Sequence, residues 1–201
     1  MNPLYHRAEF LLSAPNLKTT PDGIEFEVAF AGRSNAGKSS TINTLTHQKS
    51  LARTSKTPGR TQQLVYFKLD ETRCLVDLPG YGYAKVPLNV QLKWQKELEH
   101  YLEKRAVLNG LVLVVDIRRS LAEYDMQMIE YATHLNLDVF VALTKADKLS
   151  RNAAKNTLFS AQKLFKDAST NIQIELFSSL KKEGVEPLHD WLDAHMGITK
   201  V

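Results

Sequence analysis

The sequence predicts an α/β fold of three layers, with a mostly parallel six-stranded sheet carrying one antiparallel strand and helices on both of its faces. Three observations carry this. Apolar runs of strand length alternate with amphipathic stretches of helical length. Val112, Val114 and Val115 give one run the continuous β-branched character of a strand covered on both sides. A glycine-bearing signature for phosphate binding falls between one such run and the helix after it.

The elements follow in order. Residues 1–22 read as an N-terminal arm closed by the turn Pro21-Asp22-Gly23, and residues 23–201 as one domain. Strands are expected at Phe26–Ala31, Gln62–Leu69, Arg73–Asp77, Leu111–Asp116, Val139–Thr144 and Ile172–Leu176. The first helix starts at Lys38 and runs to about Thr46. Leu88, Leu92, Leu98, Tyr101 and Leu102 form the apolar stripe of the second. Met126, Ile129 and Leu135 mark a third, Leu158, Leu164 and Phe165 a fourth, and Trp191 and Leu192 the last. The hairpin-like pair Gln62–Leu69 and Arg73–Asp77 supplies the antiparallel strand. The remaining strands are joined through helices, which puts a ligand at their carboxyl ends.

Composition narrows the class. A chain of 201 residues, 43% hydrophobic and 24% charged, is one globular domain with a single core. No apolar run reaches the length of a membrane span. Ala8–Ala14 is apolar but short and holds Glu9, so it does not read as a signal peptide. The single cysteine, Cys74, has no disulfide partner and reads as a core thiol in a reducing cytoplasm. His6, His47, His100, His134, His189 and His195 lack metal-ligand spacing and are expected at the surface or at caps.

Gly32-Arg33-Ser34-Asn35-Ala36-Gly37-Lys38-Ser39 has the spacing of a phosphate loop. Gly32 and Gly37 let the backbone curl so that successive N–H groups face an anion. Lys38 places its charge on the β- and γ-phosphates, and the Ser39 hydroxyl binds Mg²⁺. Thr144-Lys145-Ala146-Asp147 ends an apolar strand. A carboxylate there accepts from both guanine N1–H and the exocyclic amine, whereas adenine would leave it unpaired. The Lys145 stem can lie along the base. Cys74-Leu75-Val76-Asp77-Leu78-Pro79-Gly80 delivers Asp77 to hold a water on Mg²⁺ and Gly80 to sense the γ-phosphate. Phe177-Ser178-Ser179 ends the last strand, where its backbone would cover the guanine carbonyl.

Between Glu27 and Asp70 there is no acidic residue, and Lys49, Arg53, Lys56 and Arg60 fall in the loop Gln48–Thr61. With a net charge of +4, this predicts an RNA-facing loop controlled by nucleotide state. Thr54, Thr57 and Thr61 are each in range to close on Mg²⁺.

G-R-S-N-A-G-K-S-S, S-K-T-P-G-R-T-Q, L-V-D-L-P-G-Y-G-Y-A, L-T-K-A-D-K-L and F-S-S-L-K-K-E-G together resemble the EngB (YihA/YsxC) family of bacterial GTPases over nearly the whole chain. The resemblance implies a P-loop GTPase fold. It implies too that Gly32–Ser40, Gly59-Arg60-Thr61-Gln62, Asp77–Gly80, Thr144–Asp147 and Phe177–Ser179 contact GTP or GDP, and it selects Thr61 beside Ser39 for Mg²⁺. A role in late assembly of the large ribosomal subunit, with effects on cell division and septation, is also implied.

Many signalling GTPases orient the attacking water with a Gln after D-x-x-G. Tyr81 stands there, so slow intrinsic hydrolysis accelerated by a docking partner is expected. Asn35 suggests K⁺ between the phosphates. Two other readings compete: a P-loop ATPase or small-molecule kinase, and an RNA-binding assembly module with a vestigial nucleotide site. A monomer is expected.

Overall fold

Strands β1 (Glu9–Ala14), β2 (Phe26–Gly32), β3 (Leu64–Lys68), β4 (Arg73–Asp77), β5 (Leu108–Asp116), β6 (Val139–Thr144) and β7 (Ile172–Leu176) form one sheet in the order β1-β3-β4-β2-β5-β6-β7. Helices α1 (Lys38–Leu45), α2 (Leu88–Lys104), α3 (Glu123–His134), α4 (Arg151–Leu164) and α5 (Val185–His195) cover it. The computed structural model describes residues 2–53, 63–81, 88–119, 121–168 and 171–198, with the backbone alone over 88–94.

Side-chain alternation along the central strands builds two cores. Leu111, Leu113 and Val115 of β5 join Ala29, Ala31, Val141 and Leu143 on one face, against Tyr101 of α2, Ile129 of α3 and Ala161 of α4. Val112 and Val114 join Phe30, Phe140 and Ala142 on the other, against Ile42 of α1 and Leu188 and Trp191 of α5. Because both faces are dry, these strands read as unbroken apolar runs. β3 runs against its neighbours on both sides, and the pairs β2–β4, β2–β5, β5–β6 and β6–β7 are parallel.

The sheet has seven strands rather than the expected six. Residues 9–14, within the stretch read as an arm, form the additional edge strand, paired antiparallel from Glu9↔Lys68 to Ala14↔Leu64 with an irregularity between Phe10 and Leu12. Its sequence hides it: Leu, Ser and Ala are weak strand formers, and only Ala14 is buried. The turn before it is fastened as well. Tyr5 is fully buried, its hydroxyl donates to Asp193 Oδ1 of α5 at 2.8 Å, and its ring stacks on His189 at 4.6 Å. That places His189 in the interior, not at the surface as expected; its Nε2 lies 2.9 Å from the Leu45 carbonyl, and burial lowers its pKa. Leu164, assigned to an apolar stripe, is 64% exposed, because α4 packs through Ala154, Leu158 and Ala161 and Leu164 lies off that face. Of the expected strand Gln62–Leu69, Gln62 lies outside the described residues.

Cys74 is fully buried in β4, and burial, followed by the nearby Glu27 carboxylate, pushes its thiol up to about 12. Glu27, also fully buried, sits at the amino end of β2, at the opposite pole from the phosphate loop. Its Oε1 accepts from Arg105 Nε at 2.9 Å and Nη2 at 2.5 Å, and its Oε2 from the Tyr101 hydroxyl at 3.0 Å. Arg105→Met would strand that carboxylate without its charge partner, at a cost of about 3 kcal/mol. Urea unfolding of the variant should show that loss while affinity for nucleotide stays unchanged.

Candidate nucleotide-binding site

β2 ends at Gly32, where the chain turns into the loop that leads to α1. A Cβ on Gly32 would lie 2.6 Å from the Val114 carbonyl, so only glycine allows β5 to approach there. Gly37 closes the loop with φ at +108°, a conformation open to glycine. It is also the N-cap of α1, and no side chain caps that helix. The first turn, Lys38-Ser39-Ser40-Thr41, carries no acid. A helix start left uncapped and positively charged is poor for the isolated helix and well suited to an anion.

Three further segments reach the same rim. Lys38 Nζ pairs directly with Asp77, which ends β4. Beyond Asp77 the chain runs alongside the phosphate loop: the Ser34 N–H donates to the Tyr81 carbonyl at 3.1 Å, and Arg33 bridges Tyr81 in parallel. From the end of β6, the Thr144 hydroxyl donates to the Ala36 carbonyl at 2.5 Å, and Lys145 Nζ donates to the Asn35 carbonyl at 2.7 Å. Asp147 lies one turn further on. Its Oδ1 accepts from the Ser178 hydroxyl at 2.6 Å, which, ahead of Lys148, holds its carboxyl below the usual carboxylate range. Phe177 is stitched to this turn through its own backbone, with Phe177 N–H to Leu143 O at 2.9 Å and Ala146 N–H to Phe177 O at 3.1 Å.

Lys38, Asp77, Thr144 and Asp147 thus stand at one edge of the sheet. Leu78 and Phe177 belong to it through backbone alone, since their side chains lie in the two cores. The Ser178 N–H is engaged by the Glu183 carbonyl at 3.0 Å, which leaves Ser179 as the next backbone donor along this turn. Pro79 and Gly80 are half-buried between Leu78 and Tyr81. Thr54, Lys56, Thr57, Gly59, Arg60, Thr61 and Gln62 lie outside the described residues. Before that segment, Asn43 clamps the loop by exchanging side-chain hydrogen bonds with the backbone of Ala52 at 2.7 and 2.8 Å, and Ser39 Oγ donates to the Arg53 carbonyl at 3.1 Å. Lys49 and Arg53 are exposed.

Two acids went unnoticed in the sequence. Asp125 of α3 accepts the Tyr81 hydroxyl at 2.8 Å through Oδ1 and the Ala122 N–H at 3.0 Å through Oδ2. Burial first, and then Asp125, raises the Tyr81 pKa, so this phenol is a committed donor that ties the loop after β4 to α3. Asp116 ends β5 opposite Thr144 and accepts Lys145 Nζ at 2.8 Å. The only available signal was its place at the end of an apolar strand. The phosphate loop and these two acids, with Val114, Val115 and Arg119, line one small cleft.

Among the described residues, the oxygen donors Ser39 and Asp77 stand beside the phosphate loop without thiolate or imidazole, a hard set that fits Mg²⁺. No described helix is long and apolar enough to cross a membrane.

This strand order, with a phosphate loop after β2 and the motifs of β4 and β6 beside it, defines a P-loop GTPase. The family model described as 50S ribosome-binding GTPase matches residues 27–145. The chain is 53% identical over 190 residues to the probable GTP-binding protein EngB of Salmonella newport (strain SL254), covering 94% of this chain and 90% of that protein. It is likewise 53% identical over 189 residues to its counterpart in Escherichia coli O139:H28, with the same coverage of 94% and 90%. A crystal structure of a probable GTP-binding protein engB superposes with a TM-score of 0.69 at 24% identity, covering 85% of this chain and 98% of that one. The chain belongs to the EngB family of GTP-binding proteins.

Proposed function

We propose that this GTPase is a nucleotide-controlled switch in assembly of the large ribosomal subunit, and that normal cell division and septation depend on it through that role. It acts as a monomer in the cytoplasm. The observation that carries the nucleotide half of this reading is the Lys145 bridge to Asn35, which joins the guanine-reading turn to the phosphate loop at 2.7 Å. Gly32–Ser40 wraps the phosphates, with Lys38 turning from Asp77 to the β- and γ-oxygens. Asp147 reads the guanine edge, and the Ser179 N–H covers its carbonyl. Ser39, Thr61 and Asp77 would hold Mg²⁺, which would supply charge neutralisation at the phosphates. K⁺ held beside Asn35 would add to that neutralisation.

Hydrolysis is slow on its own. The Tyr81 hydroxyl is occupied by Asp125, so no side chain at that position orients water. The ribosomal half is supported by the match to a family of 50S ribosome-binding GTPases and by the basic residues leading into the loop after α1. The test is sedimentation with ribosomal subunits in GDP, a non-hydrolysable GTP analogue, and no nucleotide. Retention on the large subunit with the analogue alone is the expected result. Equal, salt-sensitive pelleting in all three states would favour a plain RNA-binding module.

A further inference from the structure

Lys145 and Asn35, the two ends of the bridge between the base-reading turn and the phosphate loop, both sit in the left-handed region, with φ at +58° and +62°. An asparagine tolerates that conformation, whereas a lysine holds it only with help. The help converges on Asp116, which is 6% exposed at the tip of β5. Its Oδ2 accepts from Lys145 Nζ at 2.8 Å and from Arg118 Nη2 at 2.7 Å. Its Oδ1 accepts from Arg118 Nε at 2.9 Å and from the Arg118 N–H at 3.1 Å. The Arg118 fork therefore fixes the plane of the carboxylate, and that plane aims Oδ2 at Lys145.

We propose that Asp116 is a positioning residue for nucleotide binding: oriented by Arg118, it holds Lys145 against the Asn35 carbonyl, so that the base subsite and the phosphate loop move as one unit. This rests on the guanine-nucleotide reading above. Without Asp116 the lysine keeps one neutral acceptor, and its stem is free to leave the plane where the base would lie. The carboxyl is held well below the usual range, chiefly by Arg118 and then Lys145, so it stays charged wherever the protein is folded and working. Arg118 is 48% exposed and outside both cores, which makes it the gentler place to loosen the assembly.

The experiment uses the full chain and a fluorescent GDP derivative, with steady-state GTP hydrolysis in parallel. Asp116→Asn should speed GDP release and raise KM for GTP by about tenfold, the loss of one charge-assisted hydrogen bond, with the effect falling on KM rather than kcat. Arg118→Gln should give the same change at roughly a third of the size, and it keeps the test open if Asp116→Asn fails to fold. In a Lys145→Gln background, Asp116→Asn should add nothing. An unchanged release rate in both single variants, or a full additive effect in the Lys145→Gln background, would overturn the proposal. If the wild-type chain shows no preference for GDP over ADP, the guanine reading itself falls, and this proposal with it. A clear preference with unaltered variants overturns the positioning role alone.

Discussion

Lys38→Ala should raise the dissociation constants for GTP and GDP by about a thousandfold. The ammonium projects from the first residue of a helix whose start has no side-chain cap and no acid, and its partner in the structure is the Asp77 carboxylate. One charge about 4 Å from another near a protein surface is worth roughly 4 kcal/mol, three powers of ten in affinity. The variant loses that attraction and also leaves Asp77 uncompensated beside the phosphates, so repulsion adds to the deficit. Titration calorimetry measures the affinity, and a circular dichroism melt checks that the fold is kept. Affinity within tenfold of the parent chain would sink the assignment of this loop to phosphate.

Asp147→Asn should exchange one base for another. The carboxylate accepts Ser178 Oγ at 2.6 Å on one oxygen and stands 3.5 Å from Lys148 Nζ on the other. Its depressed pKa keeps it ionised, and an ionised carboxylate only accepts. Guanine presents two donors to it. In the Asp147→Asn variant the Ser178 hydroxyl would continue to donate to the remaining oxygen, turning the new NH₂ group toward the base. That group clashes with the guanine amine but pairs with the C2 carbonyl of xanthine. GTP affinity should fall by about three orders of magnitude while XTP gains what GTP loses. Competition of both nucleotides against labelled GDP and labelled XDP reads the exchange. A variant that still prefers GTP would show that another residue reads the base.

Much of this was legible in the residues. β4, β6 and β7 begin and end where the sequence places them, and for β6, buried at every position, the continuous apolar run is the reason. The phosphate loop was legible because its chemistry tolerates few residue types at fixed spacing. β1 was not, since its stability comes from pairing with β3, which starts at Leu64, far along the chain, and no local pattern encodes a distant partner. Asp116 and Asp125 were silent for a related reason. Each is a lone acid whose meaning depends on Lys145 or Tyr81 arriving from elsewhere in the chain. His189 looked like a surface residue because nothing nearby in sequence announces that Tyr5 will lie on it.

The chemistry of the single sulfur in β4 offers an experimental convenience. A thiol that ionises only near pH 12 and has no path to solvent will ignore maleimide reagents at neutral pH. A reporter dye can therefore be attached at Lys49→Cys, on the exposed approach to the basic loop, with the native thiol left in place, and any movement of that loop between GDP and GTP can be followed in a single labelled molecule.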